Sequence, residues 1–155
     1  YLKKQGATSV VVYCSGETPR NNIGRWMTKN VATTSKPGTR DYFTAKDKTM
    51  AEDCDYGFMI WDARSTGTLS NAIELVGKKK VALVYVNKAK QFLKIKDVQD
   101  LEALLAFMSD TSLKKADEKI GVLKKVGAMK FAQHDFFGAP QGAPADRQQK
   151  TVAGR

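Results

Sequence analysis

The sequence predicts an α/β fold: a three-layer sandwich on a mainly parallel, Rossmann-like or flavodoxin-like sheet. Three observations lead there. Runs such as Val10-Val11-Val12-Tyr13-Cys14 and Phe58-Met59-Ile60-Trp61 are apolar at consecutive positions, the pattern of strands buried on both faces. Between them lie segments whose apolar residues recur at helical spacing. The length of 155 residues, with 42% hydrophobic and 9% aromatic residues, suits one domain around one core and exceeds what a highly charged disordered chain carries.

Each element follows from its local pattern. Residues 9–14 form the first strand, and the turn-rich stretch 15–22 leaves it. Residues 23–30 are expected as a short helix capped by Asn21 or Asn22, 31–34 as a second strand, and 35–38, with Pro37 and Gly38, as a loop. Thr44 is placed to cap a helix over 45–53. Residues 56–61 are the next buried strand, 62–67 a loop, and 68–76 a helix with Leu69, Ala72, Ile73 and Val76 on one face. Residues 80–86 read as a strand and 92–95 as a short one. Asp97 caps a helix whose stripe is Val98, Leu101, Leu104, Leu105 and Met108. A last helix is expected from 112 to about 129, with Leu113, Ala116, Ile120 and Leu123 as an apolar seam suited to packing or to a homodimer. Residues 1–137 are taken as one domain. From Gly138 onward Gly, Ala, Pro, Gln and Arg dominate, the composition of a disordered tail.

Charge is uneven. The net charge is +10, and ten basic against eight acidic residues precede Lys78 while sixteen against eight follow from it. The stretch 78–96 contains seven lysines and no acid, a field that attracts phosphates or nucleic acid; the same lysines also suit a solvated rim around a strand. The apolar run Val81–Val86 is far short of the ~20 residues of a membrane helix, so no membrane partner is expected, and no secretory signal is visible. Cys14 and Cys54 lack neighbours at metal-ligand spacing, which suits reduced core thiols in a cytoplasmic protein. His134 is the only histidine and is expected to pack or face solvent. No metal site is expected, because no second His or Cys stands near it; no cofactor is expected, the dinucleotide-binding and Walker patterns being absent, and no Ser-His-Asp triad, since the nucleophile elbow is absent.

In a parallel sheet, ligands bind beyond the carboxyl ends of the strands, which selects the loops after Cys14, Trp61 and Val86. In the first, Ser15 and Gly16 offer backbone N–H groups to an anion. Arg20, Asn21, Asn22 and Trp26 follow, with amides that read base edges and an indole that stacks on a ring; a capped helix anchored by Trp26 uses the same residues. In the second loop Asp62 can accept from a ribose or move a proton, and Ser65, Gly67 and Thr68 stand at a helix N-terminus that favours an anion. The alternative there is an Asx turn that only caps the helix. After the third strand, Lys88 and Lys90 face the same end of the sheet.

The segment Thr44-Ala45-Lys46-Asp47, followed by Met50-Ala51-Glu52-Asp53-Cys54-Asp55 and the strand to Trp61-Asp62, then Ser65-Thr66-Gly67-Thr68 and Gly77-Lys78, resembles nucleoside 2-deoxyribosyltransferases and their Rossmann-like relatives. The resemblance covers about residues 8–86. It implies that Asp47 matches the acid facing the base, that Asp62 falls near the acid contacting the sugar, and that Cys14-Ser15-Gly16 matches the glycine-bearing turn. The family's nucleophilic Glu has no counterpart, since Leu69, Ser70 and Asn71 occupy its place and the nearest carboxylate is Glu74, one helical turn further. The implied function is a nucleoside- or nucleotide-recognising domain that cleaves or transfers an N-glycosidic bond through Asp47, Asp62 or Glu74. The alternative is a non-catalytic module that senses a nucleotide or binds nucleic acid through the lysines of 78–96. A shallow site of this kind is also expected to need a second copy of the chain, making a homo-oligomer.

Overall fold

A computed structural model of the chain describes residues 1–137; the tail expected over 138–155 lies outside the described residues. The architecture is mixed α/β. Strands β1 (Val11–Ser15) and β2 (Met27–Val31) pair in parallel, with Val11 opposite Met27 and Ser15 opposite Val31. A second sheet has the order β3-β4-β5. In it β3 (Tyr56–Trp61) runs parallel to β4 (Val81–Val86), and β4 turns back antiparallel into β5 (Gln91–Ile95). The helices are α1 (Arg40–Asp53), α2 (Thr66–Gly77), α3 (Val98–Leu105), α4 (Asp110–Ile120) and α5 (Val122–Phe137).

Three local expectations are corrected, each by turn or cap chemistry. Residues 23–30 do not form a helix. The Asn22 side chain accepts from Trp26 N at 2.9 Å and donates to Trp26 O at 2.7 Å, closing a turn through Arg25 at φ 51°. That turn delivers 27–31 to the edge of β1, so the second strand begins four residues earlier than expected. Helix α1 begins at Arg40 because Thr39, not Thr44, is its cap: Thr39 Oγ1 accepts from Tyr42 N, while Thr44 donates back to Asp41 O inside the helix. The single helix expected over 112–129 is two. Gly121 takes φ 63° and ψ 46° at the end of α4, a left-handed conformation that a side chain disfavours, and the chain restarts as α5.

The core lies on one side of the β3-β4-β5 sheet. Leu69, Ala72, Ile73, Leu75 and Val76 of α2 are buried against Trp61, Ala82, Val84 and Val86 of the sheet and Leu101 and Leu104 of α3. Gly57 permits the close approach, since a Cβ there would lie 2.3 Å from Leu75 Cδ1. The Asp97 cap of α3 is present, its side chain accepting from Asp100 N. The opposite face of this sheet is bare among the described residues: Tyr56, Phe58 and Ile60 are 77%, 63% and 65% exposed. Strands expected to be buried on both faces are thus covered on one, and the third layer of the expected sandwich is not seen.

Replacing Gly121 with Ala is expected to cost about 1 kcal/mol of stability in urea unfolding, and Gly121→Asn less, since Asn tolerates the left-handed region. Equal, negligible losses would show that the α4–α5 break does not need that conformation.

Candidate functional site

Helix periodicity builds a pocket between α1 and α2. Arg40, Asp41, Thr44, Asp47 and Lys48 follow a helical repeat that gathers them along one side of α1, as do Gly67, Ser70, Asn71 and Glu74 on α2. These two sets, with Lys119 and Ile120 of α4 and Lys125 of α5, line a cavity of about 380 Å³. Four cations thus surround three carboxylates. Asp47 pairs with Lys46, and Glu74 lies 3.4 Å from Lys78 Nζ.

A second, more apolar cavity of about 340 Å³ adjoins the first. Met50 and Ala51 of α1, Cys54 just after it, residues 56–60 of β3, and Thr68 and Leu75 of α2 line it. Asp47 and Asn71 line both cavities. A polar, cation-rich chamber and an apolar one therefore share a carboxylate and an amide on their common boundary.

The other residues singled out by sequence are placed elsewhere. Cys14 is buried and donates to Gly16 O and Asn30 Oδ1. Gly16 has φ 88°, and a Cβ there would meet Tyr42 Oη at 2.2 Å. The glycine thus admits the Tyr42 hydroxyl, which donates to Ser15 O at 3.0 Å. The Ser15 hydroxyl is itself buried without a partner among the described residues. The Arg20 guanidinium lies over the Phe43 ring at 5.4 Å, and Asn21 is exposed. Asn22 closes the turn before β2, and Trp26 donates its indole N–H to Ala7 O at 2.9 Å. The Asn22 amide is thus engaged by the backbone of its own turn, and the Trp26 indole N–H by the Ala7 carbonyl.

Asp62 also has a structural role. Its Oδ1 accepts from Ser65 N at 2.7 Å and Arg64 N at 2.9 Å, and these amides, Ser65 first, hold its carboxyl below the usual range. The Ser65 carbonyl accepts from the Trp61 indole at 3.0 Å. The Asx turn is the arrangement found. Neither Asp62 nor Gly16 lines the two cavities that Asp47 lines, so the three positions that the resemblance matches to one ligand site are not gathered in either cavity.

The lysines divide by end of the sheet. At the start of β4, Lys78 lies 3.6 Å from Glu52 and 3.4 Å from Glu74, and Lys80 donates to the carbonyls of Ala51 and Glu52 at 2.9 and 2.6 Å, capping the end of α1. At the other end Lys88 and Lys90 are exposed, Lys90 donating to Asn87, and neither lines a described cavity. The seam of the last helices is largely internal: Ala116 is fully buried and Leu113 and Ile120 pack on the core, leaving Leu123 54% exposed.

Sequence reading missed the cations Arg40, Lys48, Lys119 and Lys125 of the pocket. A signal existed for the first two: once Thr39 is taken as the cap, they fall on the face of Asp47. For Lys119 and Lys125 no local signal existed, because tertiary packing brings them to the pocket. Among the described residues no three His, Cys, Asp or Glu are grouped to hold a metal, and no helix is long and apolar enough to cross a membrane.

Because the folded pKa of Asp62 is depressed, its contribution to stability is present above the unfolded value near pH 4 and lost as pH falls through the folded one. Asp62→Ala is expected to cost about 1 kcal/mol or less at neutral pH and to flatten the acid limb of the stability profile; an unchanged limb in urea titrations from pH 2 to 6 would remove that role.

Searches against family models, curated proteins and solved structures match nothing for this chain.

Proposed function

We propose that this chain is a nucleotide-recognising domain whose site is the paired cavity between α1 and α2. One observation carries the reading: Asp47 and Asn71 line both the cation-rich cavity and the apolar one. A nucleotide has the matching division, with an apolar ring at one end, anionic phosphate at the other and a hydroxyl-bearing sugar between. Met50, Cys54, Met59 and Leu75 suit the ring. Asp47 and Asn71 suit the sugar hydroxyls and the polar edge of the base, an acid accepting and an amide both donating and accepting. Arg40, Lys48, Lys119 and Lys125 suit the phosphate, Arg40 by its two-pronged donor geometry. Each cavity falls within the ordinary range of small-molecule sites.

The Rossmann-like assignment belongs to the same proposal. Laid edge to edge, β2-β1 and β3-β4-β5 give the strand order 2-1-3-4-5 found among doubly wound nucleotide-binding folds, with β5 reversed, and the likeness to nucleoside 2-deoxyribosyltransferases supports it. A cytoplasmic setting accords with two free cysteines.

A second reading, cleavage of an N-glycosidic bond, draws on Asp47 and Glu74 lining one cavity. Such cleavage needs one carboxylate as nucleophile or as base for water, and an acid for the leaving group. Asp62, held in its Asx turn outside the cavities, is not assigned either role.

Calorimetric titration with nucleosides and nucleoside mono-, di- and triphosphates tests the proposal. Phosphorylated ligands are expected to bind more tightly than bare nucleosides, with a shallow salt dependence. Arg40→Ala and Asn71→Ala are each expected to weaken binding about 10-fold, whereas Lys88→Ala and Lys90→Ala change it by no more than about twofold. Free base released during incubation would add the second reading. Failure of every nucleotide to bind, or a steep salt slope with DNA or RNA, would overturn the site assignment.

A further inference from the structure

We infer that the bare face of the β3-β4-β5 sheet is the interface of a homodimer, closed by the same face of a second copy. The side chains on this face follow from the strand registers. Phe58 stands opposite Leu83, Ile60 opposite Tyr85, Leu83 opposite Lys94, and Tyr85 opposite Phe92. Directly opposed residues share a face, so Tyr56, Phe58, Ile60, Leu83, Tyr85 and Phe92 point the same way. Five of them are strongly exposed: Tyr56, Phe58 and Ile60 as above, Phe92 at 60% and Leu83 at 40%.

The area is of the size a dimer needs. With about 150–250 Å² for a large side chain, these exposures leave on the order of 500–700 Å² of contiguous apolar surface per copy. That reaches the upper end of the ~300–600 Å² of the largest patch on an ordinary monomer and approaches the ~800 Å² per partner of a stable interface. The surface is also ordered in advance. Phe92 packs on Tyr85 with ring centroids 4.8 Å apart and on Phe58 at 6.4 Å, so association would freeze few side chains, which lowers its entropic cost.

Three features select a second copy as the occupant. The chain's own residues 138–155, GAPQGAPADRQQKTVAGR, hold one large aliphatic residue, Val152, and no aromatic, too little to cover six large side chains. An acidic partner would be drawn to lysine-bearing surface, whereas Lys94 is the one charge among the outward positions of these strands. A like-charged copy of net charge +10 has the opposite requirement and can approach most readily where the charge is absent. Two such sheets stacked face to face about a twofold axis lie ~10 Å apart with interdigitating side chains, and each supplies the layer that the other lacks. This interface also differs from the seam on α4, whose Ala116 is buried within one chain.

Sedimentation velocity on the full chain from 1 to 100 µM tests the inference. A dimer is expected, and the double variant Leu83→Asp, Phe92→Lys is expected to weaken it about 30-fold or more, the scale of lost interface anchors. The double variant should keep the wild-type circular dichroism spectrum, because both side chains face solvent in the monomer. Leu123→Asp, on the exposed side of α5, should leave the dimer unchanged. A monomer throughout this range would overturn the inference. So would a dimer that survives the double variant or is lost with Leu123→Asp. Tyr56, Phe58 and Ile60 also line the apolar cavity, so the substitutions are placed on β4 and β5, outside it, and the oligomeric state reads this inference whether or not a nucleotide binds.

Discussion

Burial of α2 is the constraint on which the rest of the molecule depends. Its Leu69, Ala72, Ile73, Leu75 and Val76 are withdrawn from water, and the helix packs on β3 and β4 beneath it and on helices around it. At about 1.5–3 kcal/mol for each large side chain, the four larger ones contribute on the order of 6–12 kcal/mol, an upper figure that already rivals the net stability of an ordinary domain. Gly57 makes the contact close enough to reach that burial. The same packing turns Gly67, Ser70, Asn71 and Glu74 away from the core, so the wall of the candidate site is the polar remainder of the helix that organises the fold.

The sheet divides in a corresponding way. β4 buries Ala82, Val84 and Val86 while Leu83 stays outside, a period of two concealed by an unbroken apolar sequence. A strand covered on both sides and a strand with one apolar face awaiting a partner have the same composition. This is why the runs at β3 and β4 indicated strands correctly but indicated the third layer only as an expectation. The information needed to separate the two cases lies in how many helices reach each face, and that is a tertiary property.

Legibility elsewhere followed the strength of local chemistry. The helix over α2 was readable from its spacing, and α3 from its spacing together with Asp97. The region before β2 was not, because Asn22 serves equally as a helix cap and as the closing residue of a turn, and the choice depends on the pairing of Met27–Val31 with β1. Thr39 and Thr44 are both competent caps, and the chain uses the earlier one, which brings Arg40 onto the site. Of the residues named for function, Asp47, Gly67, Asn71 and Glu74 come together at the polar cavity and Thr68 at its neighbour, whereas Asp62, Gly16, Asn22 and Trp26 have backbone partners or packing that explain them. The distinction is physical: a polar residue at a turn is usually satisfied by the turn's own backbone, while Asp47 and Glu74 on their helix faces have lysine side chains, Lys46 and Lys78, as partners. The lysines of α4 and α5 arrive by tertiary packing alone.

In the proposed function, ligand recognition lies between α1 and α2 and away from the loops at the strand ends. Amide hydrogen exchange with and without saturating nucleotide, from the panel of nucleosides and nucleoside phosphates, reads that placement directly. Slowed exchange is predicted in α1 around 43–51 and in α2 around 68–75, with the junction of α4 and α5 near 119–125 also protected. Protection confined to 15–22, 62–65 and 87–90, with α1 and α2 unchanged, would contradict it.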